Sequence, residues 1–283
     1  MESKQTKTPV FLPRRGLSGG HWQTLASFFL PRNVALARGE GRLIEVEPGV
    51  KVLAHCHWQA DRQNRLTVVV VHGLEGSSDS QYMLGVAAKG LALGMNVVRM
   101  NQRNCGGTEG QAATLYHSGR SQDVAAVCPA VDLAASADAL HLRHNRLYEQ
   151  YFLWKLNRRL RTKARLFPGV FDTSRLRGIS SLRDFDDRIT AYYSGFTGAT
   201  DYYDRAAAAH VVDRIAVPAF VLHAANDPFI RILPETRRKF LQNPNITFLE
   251  TADGGHCSFL AAANGDDGHW AEIQILEFLR KYM

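Results

Sequence analysis

The sequence predicts an α/β fold, a mostly parallel sheet with helices on both faces, and three observations carry that prediction. "RLTVVVVHG" (65–73) is a continuous β-branched run, the pattern of a strand buried on both faces of a parallel sheet. "SSDSQYMLGVAAKGLALG" (77–94) then reads as a helix with Ser and Asp near its start and Gly at its end, and "MNVVRMNQRNCGG" (95–107) as a second strand running into a glycine loop. The same alternation returns near the C-terminus: the strand "VPAFVLHAANDP" (217–228), a helix around 234–241 and the strand "ITFLE" (246–250).

The remaining elements follow in order. An N-terminal arm (1–40) carries "WQTLASFFLP", a short helix ended by Pro31. "RLIEVEPGVKVLAHCHW" (42–58) reads as a β-hairpin around a Pro-Gly turn. "ADALHLRHNRLYEQYFLWKLNRRLRTKARLFPG" (137–169) is one long helical stretch stopped by Pro168-Gly169, and an Asp-, Tyr- and Gly-rich stretch follows it. These two pieces interrupt the alternation over about 137–205, as an insertion over one end of a sheet does. The final helix, "HWAEIQILEFLRKYM", sets Trp270, Ile273, Leu276 and Leu279 on one face. With no linker and no internal repeat, residues 1–283 read as a single domain.

Composition excludes several classes. At 45% hydrophobic and 22% charged, the chain reads as an ordinary globular protein. The most apolar stretch, "LTVVVV" (66–71), is too short to cross a bilayer, and the first residues lack the apolar core of a secretory signal. Cys56, Cys105, Cys128 and Cys257 are widely spaced with no C-x-x-C pair, which fits free thiols and a cytoplasmic location. His55 and His57 share one strand face without a third ligand, so no metal is expected. Neither a Walker A string nor G-x-G-x-x-G occurs, so no nucleotide cofactor is expected either.

The net charge of +7 is concentrated in one place. Between Arg143 and Arg165 lie eight Lys and Arg against the single acid Glu149, so the remainder is near neutral. That pattern argues against a nucleic-acid-binding protein. The basic stretch has two readings. Its charges, interleaved with Tyr148, Tyr151, Phe152 and Trp154, suit contact with an anionic lipid surface; they equally suit a solvated helix face that packs its aromatics on the core, the plainer reading.

Two residues carry the chemistry. Asp227 directly follows an apolar strand in "HAANDPF", and His256 follows the next strand in "ADGGHCSF". Both therefore project from the C-terminal ends of strands, and their order is that of the acid and base of an α/β-hydrolase triad. His72-Gly73 ends the β-branched strand and leaves the backbone N–H groups of Leu74 and Glu75 to stabilise an oxyanion.

With "GGHWQTL", "VVVHGLEGSSDSQYMLGVA", "RMNQRNCGGTEG", "LYHSGRSQD", "SLRDFDDRITAYYSGF", "DYY", "HAANDPF" and "GGHCSF", the chain resembles the YheT-type branch of the α/β-hydrolase superfamily along nearly its whole length. The resemblance implies a serine hydrolase of the esterase or monoacylglycerol-lipase kind, acting on a small-molecule carboxylic ester or lipid-like substrate. It makes Asp227 and His256 the charge-relay partners, His72, Gly73, Leu74 and Glu75 the oxyanion and substrate-binding loop, and the insertion a helical cap. It fixes neither the acyl group nor the oligomeric state.

One part of the resemblance is missing. The nucleophile elbow of that family, a G-[FY]-S-x-G-G string, belongs after "HSGRSQD", yet only residues 122–127 separate Ser121 from Cys128. A strand, turn and helix need roughly 30 residues. The central elbow strand and its following helix are therefore expected to be absent, with the strand at 125–131 drawn toward "VVVVHG". No substitute is convincing. Ser18 lies in the string "GLSGG", but "TPVFLPRR" before it is no core strand. Ser77, Ser78 and Ser80 suit a helix cap, Ser118 and Ser121 a helix start. Cys105 fits a turn, and Cys128, followed by Pro129, suits a buried structural thiol better than a cysteine nucleophile. The expected protein is an ester-hydrolase relative without its nucleophile; the rival is a non-catalytic module that binds an acyl ligand or a protein partner.

Overall fold

A turn at Pro48-Gly49 folds β1 (Glu40–Glu47) back onto β2 (Val50–His57), with Leu43 opposite Leu53 and Ile44 opposite Val52. Gly49 takes φ +73°, which a side chain there would resist. In the computed structural model, which describes residues 10–117 and 132–283, this hairpin opens a four-stranded sheet. β3 (Thr67–Val71), the crossover helix α2 (Gln81–Ala92) and β4 (Asn96–Met100) complete it in the order β1-β2-β4-β3. β3 and β4 are parallel, whereas β2 and β4 are antiparallel. A second parallel pair, β5 (Ala219–Ala224) and β6 (Ile246–Thr251), is joined through α8 (Pro234–Gln242).

β3 corrects the sequence reading. Val68 and Val70 pack against Val86, Met95 and Leu276, the layer formed by α2 and the C-terminal helix α9 (Trp270–Leu279). Thr67 and Val69 look the other way, and Val69 is 47% exposed. A β-branched run reads as doubly buried only if strands and helices flank it on every side. Among the described residues nothing pairs with the far edge of β3, nor with the far edge of β5.

The long helical stretch of the insertion is two helices, α3 (Leu133–His141) and α4 (Arg146–Leu166). The break has a visible cause. The fully buried Asn145 turns its side-chain amide onto Ala139 O (2.9 Å) and Pro228 O (2.6 Å), tying the helix junction to the loop after β5. α4 buries Leu153 and Leu160 against Leu115, Phe171, Phe185 and Ile189. α5 (Leu182–Phe185) runs through a π-helical turn (Asp186–Ala191) into α6 (Tyr192–Ser194), and α7 (Ala199–Ala206) packs Tyr202 and Tyr203 with Ala137 of α3.

The arm forms α1 (Gly20–Phe29), which ends two residues before Pro31. On α9 the buried set includes a charge that the helical periodicity did not suggest. Glu272 is 4% exposed and pairs with Arg32 (2.8 Å) and Lys89 (2.7 Å). Gly85 of α2 makes room for it, because a Cβ there would stand 2.3 Å from the carboxylate. Among the described residues no helix is long and apolar enough to cross a membrane.

Candidate active site

Asp227 and His256 meet. The Asp227 backbone N–H closes a turn onto Ala224 O (3.0 Å) at the end of β5, and its Oδ1 accepts the N–H groups of Phe229 (3.0 Å) and Ile230 (2.8 Å). Its Oδ2 lies 3.0 Å from His256 Nδ1. Burial works to raise the Asp227 pKa, but the hydrogen bond and charge of His256 and the two N–H donors outweigh it and hold the carboxyl below its ordinary value. A carboxylate acceptor fixes the proton of His256 on Nδ1 and leaves Nε2 as the basic nitrogen. Phe229 packs its ring 4.3 Å from the imidazole. Among the described residues no hydroxyl or thiol hydrogen-bonds to Nε2.

The arm sets this pair in place, a role that its sequence did not announce. Thr24 Oγ1 accepts the backbone N–H of His256 (2.9 Å), and Ser27 shares a hydroxyl hydrogen bond with Ser258 (2.8 Å). The fully buried Gln23 donates to Leu17 O (2.8 Å) and Leu260 O (3.1 Å) and accepts from Leu260 N (2.8 Å). Gly20 sits so close to the loop after β5 that a Cβ would lie 1.9 Å from Asn226 O. Ser18 belongs to the same splint, since its hydroxyl and the N–H of Gly19 both donate to Asp253 Oδ2 at 2.8 Å. Among the described residues Ser18 hydrogen-bonds to no histidine, and the Asp253 carboxylate, its pKa lowered further by its hydrogen bonds against the raising effect of burial, is too weak a base to activate it.

The loop after β3 holds the predicted oxyanion residues. Gly76 N donates to Gly73 O (3.1 Å), so Leu74 and Glu75 are the centre of a turn, and neither amide finds an acceptor among the described residues. The buried His72 ring spans the turn: Nδ1 donates to Gly73 O (2.8 Å) and Nε2 accepts from Gln102 N (3.1 Å). Burial lowers its pKa and keeps it neutral. Gly73 N donates to Tyr82 Oη (2.8 Å), whose pKa is pushed up to about 12 by burial, with the nearby Cys257 thiol adding to the rise. Tyr82 thus links the turn after β3 to the neighbour of His256.

Glu75 has φ +57°, a left-handed conformation that a non-glycine residue holds only under constraint. The constraint comes from the cap. Arg159 of α4 forms an ion pair with its buried carboxylate, Nη2 donating to Oε2 (2.9 Å) and Nε lying 2.9 Å from Oε1 without hydrogen-bond alignment, and Lys155 Nζ donates to its carbonyl oxygen. Arg159 also donates to Asn104 O, another left-handed residue (φ +66°), at the end of β4. Lys163 is fully buried, donating to Asn104 Oδ1 (2.9 Å), Glu109 O (3.2 Å) and Ala112 O. Residues 155, 159 and 163 share one helix face. Three of the basic residues read as solvated are therefore internal clamps.

α4 is also a ruler. Tyr148 packs 5.4 Å from Phe229 beside the Asp227–His256 pair, and Lys155 holds the turn after β3. Seven residues at 1.5 Å each separate the two contacts by about 10 Å.

Other candidates are engaged elsewhere or lie outside the description. Ser80 stands at the N-cap of α2 but accepts from Ser77 N (3.1 Å) instead of capping the helix. Ser78 Oγ accepts from Asn101 (3.0 Å). The Cys105 thiol, pushed up to about 11 by burial, stays protonated. His57 Nε2 accepts from Arg99 (3.3 Å), and burial, together with that guanidinium, lowers the pKa of His55. Ser118, Ser121, Cys128 and the strand expected at 125–131 lie outside the described residues.

No family model matches the chain. Over 96% of its length it is 27% identical to the YheT protein of Escherichia coli K12, covering 94% of that protein. Along nearly its whole length the chain is thus similar to a YheT-type protein. The YheT alignment runs over 321 positions, more than the 283 residues here, so the relative carries residues with no counterpart in this chain. A mouse phospholipase, ABHD3, is 25% identical over 72% of this chain and 60% of its own length. The yeast medium-chain fatty acid ethyl ester synthase/esterase 2 is 34% identical over 38% of this chain and 23% of its own. Among solved structures, a Pyrococcus furiosus esterase, Pf2001, overlays with a TM-score of 0.47 at 15% identity, covering 89% of this chain and 96% of that one.

Proposed function

We propose that this protein keeps the ester-recognising half of a serine hydrolase and lacks the nucleophile, so that it binds small carboxylic esters or lipid-like acyl compounds without turning them over. The observation that carries this reading is the assembled Asp227–His256 pair, whose Nε2 meets no hydroxyl or thiol among the described residues. In a complete site Asp227 would orient the imidazole and His256 would accept the serine proton, while the amides of Leu74 and Glu75 would stabilise the oxyanion. With no Oγ to attack, the acyl-enzyme cannot form and the pair has only water to activate.

Three findings support the missing nucleophile. Among the described residues no strand pairs with the far edge of β3 or of β5, where an elbow strand would sit. Positions 118–131, between His117 and Asp132, are too few for a strand–elbow–helix unit of roughly 30 residues. The alignment with YheT contains positions that this chain lacks. The ligand class rests on relatives described as a phospholipase and as a fatty acid ethyl ester synthase/esterase.

Hydrolysis of p-nitrophenyl acetate and butyrate tests the proposal. The expected rate is the same for wild type and His256→Ala, while a non-hydrolysable acyl ligand raises the melting temperature of the wild type. Turnover that disappears in His256→Ala would refute it.

A further inference from the structure

We propose that the outer face of α4, together with the end of α1, is a docking surface for an anionic phospholipid membrane. Six of the exposed residues of α4 form one stripe, Leu147, Tyr151, Trp154, Arg158, Arg161 and Arg165, at the three- and four-residue spacing of a single helix face. That stripe is opposite in use to Lys155, Arg159 and Lys163, which point inward to the oxyanion turn and the end of β4. It is also divided along its length, apolar at the start and basic at the end.

The apolar half continues onto the arm. Phe28 packs edge-on to Tyr151 at 5.7 Å and to Phe29 at 5.0 Å, and Tyr151 stacks on Trp154 at 6.4 Å. None of these rings is buried: Phe29 is 72% exposed, Phe28 58% and Trp154 57%, with Leu147 at 85%. A run of exposed aromatics of this size on one face marks an interaction site.

Charge selects the occupant. Arg158, Arg161 and Arg165 have no acidic partner among the described residues. With Trp154, Ala164 and Thr173 they line an open cavity of about 610 Å³, and Arg158 lies 5.7 Å over the Trp154 ring. Aromatics placed to enter the acyl boundary beside three unpaired guanidinium groups match the two layers of a membrane surface, acyl chains and phosphate headgroups. A soluble anion would engage the arginines and leave the aromatic half in water. The surface is independent of the acid–base pair, and its test does not read hydrolysis.

The test is co-sedimentation of the full chain with vesicles of phosphatidylcholine alone or with 30% phosphatidylserine, with tryptophan emission recorded in parallel. Binding is expected only to the anionic vesicles, with a blue shift that Trp154→Phe removes while binding persists. Replacing Arg158, Arg161 and Arg165 together by Gln is expected to weaken partition on the order of 100-fold, taking about 1 kcal/mol per basic residue at the surface. Phe29→Ser with Trp154→Ser is expected to weaken it at least tenfold. Equal circular dichroism and melting temperature show that these variants fold. No binding of the wild type at low salt overturns the proposal. So does binding that survives both sets of changes, full displacement by soluble glycerophosphoserine, or capture by an acidic protein without any affinity for vesicles.

Discussion

Asp227 Oδ2 and His256 Nδ1 are 3.0 Å apart, and the carboxylate that orients the imidazole has its other oxygen filled by two backbone N–H donors. An acid–base pair this fully held has its geometry determined by the loops after β5 and β6 and by the arm, not by a nucleophile.

The pair gives stability a pH dependence of known sign. The folded Asp227 carboxyl lies below its unfolded value, so its contribution is present above the ordinary Asp range, near pH 4, and is lost as pH falls through the lower folded value. Asp227→Asn removes the charge. The melting-temperature difference between wild type and variant should be largest at pH 6–7 and shrink progressively below pH 4.

Glu75 and Arg159 should be strongly coupled, because the Glu75 carboxylate is buried and the Arg159 guanidinium lies 2.9 Å from it. Arg159→Ala leaves a buried carboxylate unpaired and is expected to destabilise by about 3–5 kcal/mol. Adding Glu75→Gln should recover part of that loss. Denaturant unfolding of the two single variants and the double measures the coupling, and simple additivity would show that the cap does not brace the turn.

Gly20→Ala tests the arm. Its Cβ would need the space of Asn226 O, 1.9 Å away, so either α1 or the loop carrying Asp227 must shift. The expected destabilisation is about 1–3 kcal/mol by thermal or denaturant unfolding. Gly16→Ala is the control for space, since nothing lies within 4 Å of its Cβ position, although φ +83° adds backbone strain of its own.

Asp227 and His256 were legible because each directly follows an apolar strand and their order is chemically meaningful. His72-Gly73 was legible because a glycine turn after a β-branched strand exposes amides. The clamps were not. Glu75 and Arg159 are 84 residues apart, and nothing in a basic helical stretch says which residues point inward. Lys163 reads as solvated until three oxygens are seen around its amine. Gln23 and Thr24 act on a loop more than 230 residues away. β3 misled in the other direction, since "TVVVV" reads as doubly buried while, among the described residues, only β4 pairs with it.

The most direct test of the missing nucleophile is incubation of the folded chain with a fluorophosphonate probe, followed by intact-mass measurement and peptide mapping. No stoichiometric adduct is expected on any residue, Ser18, Ser118, Ser121 and Cys128 included. One adduct per chain that forms in wild type and fails in His256→Ala would contradict the account.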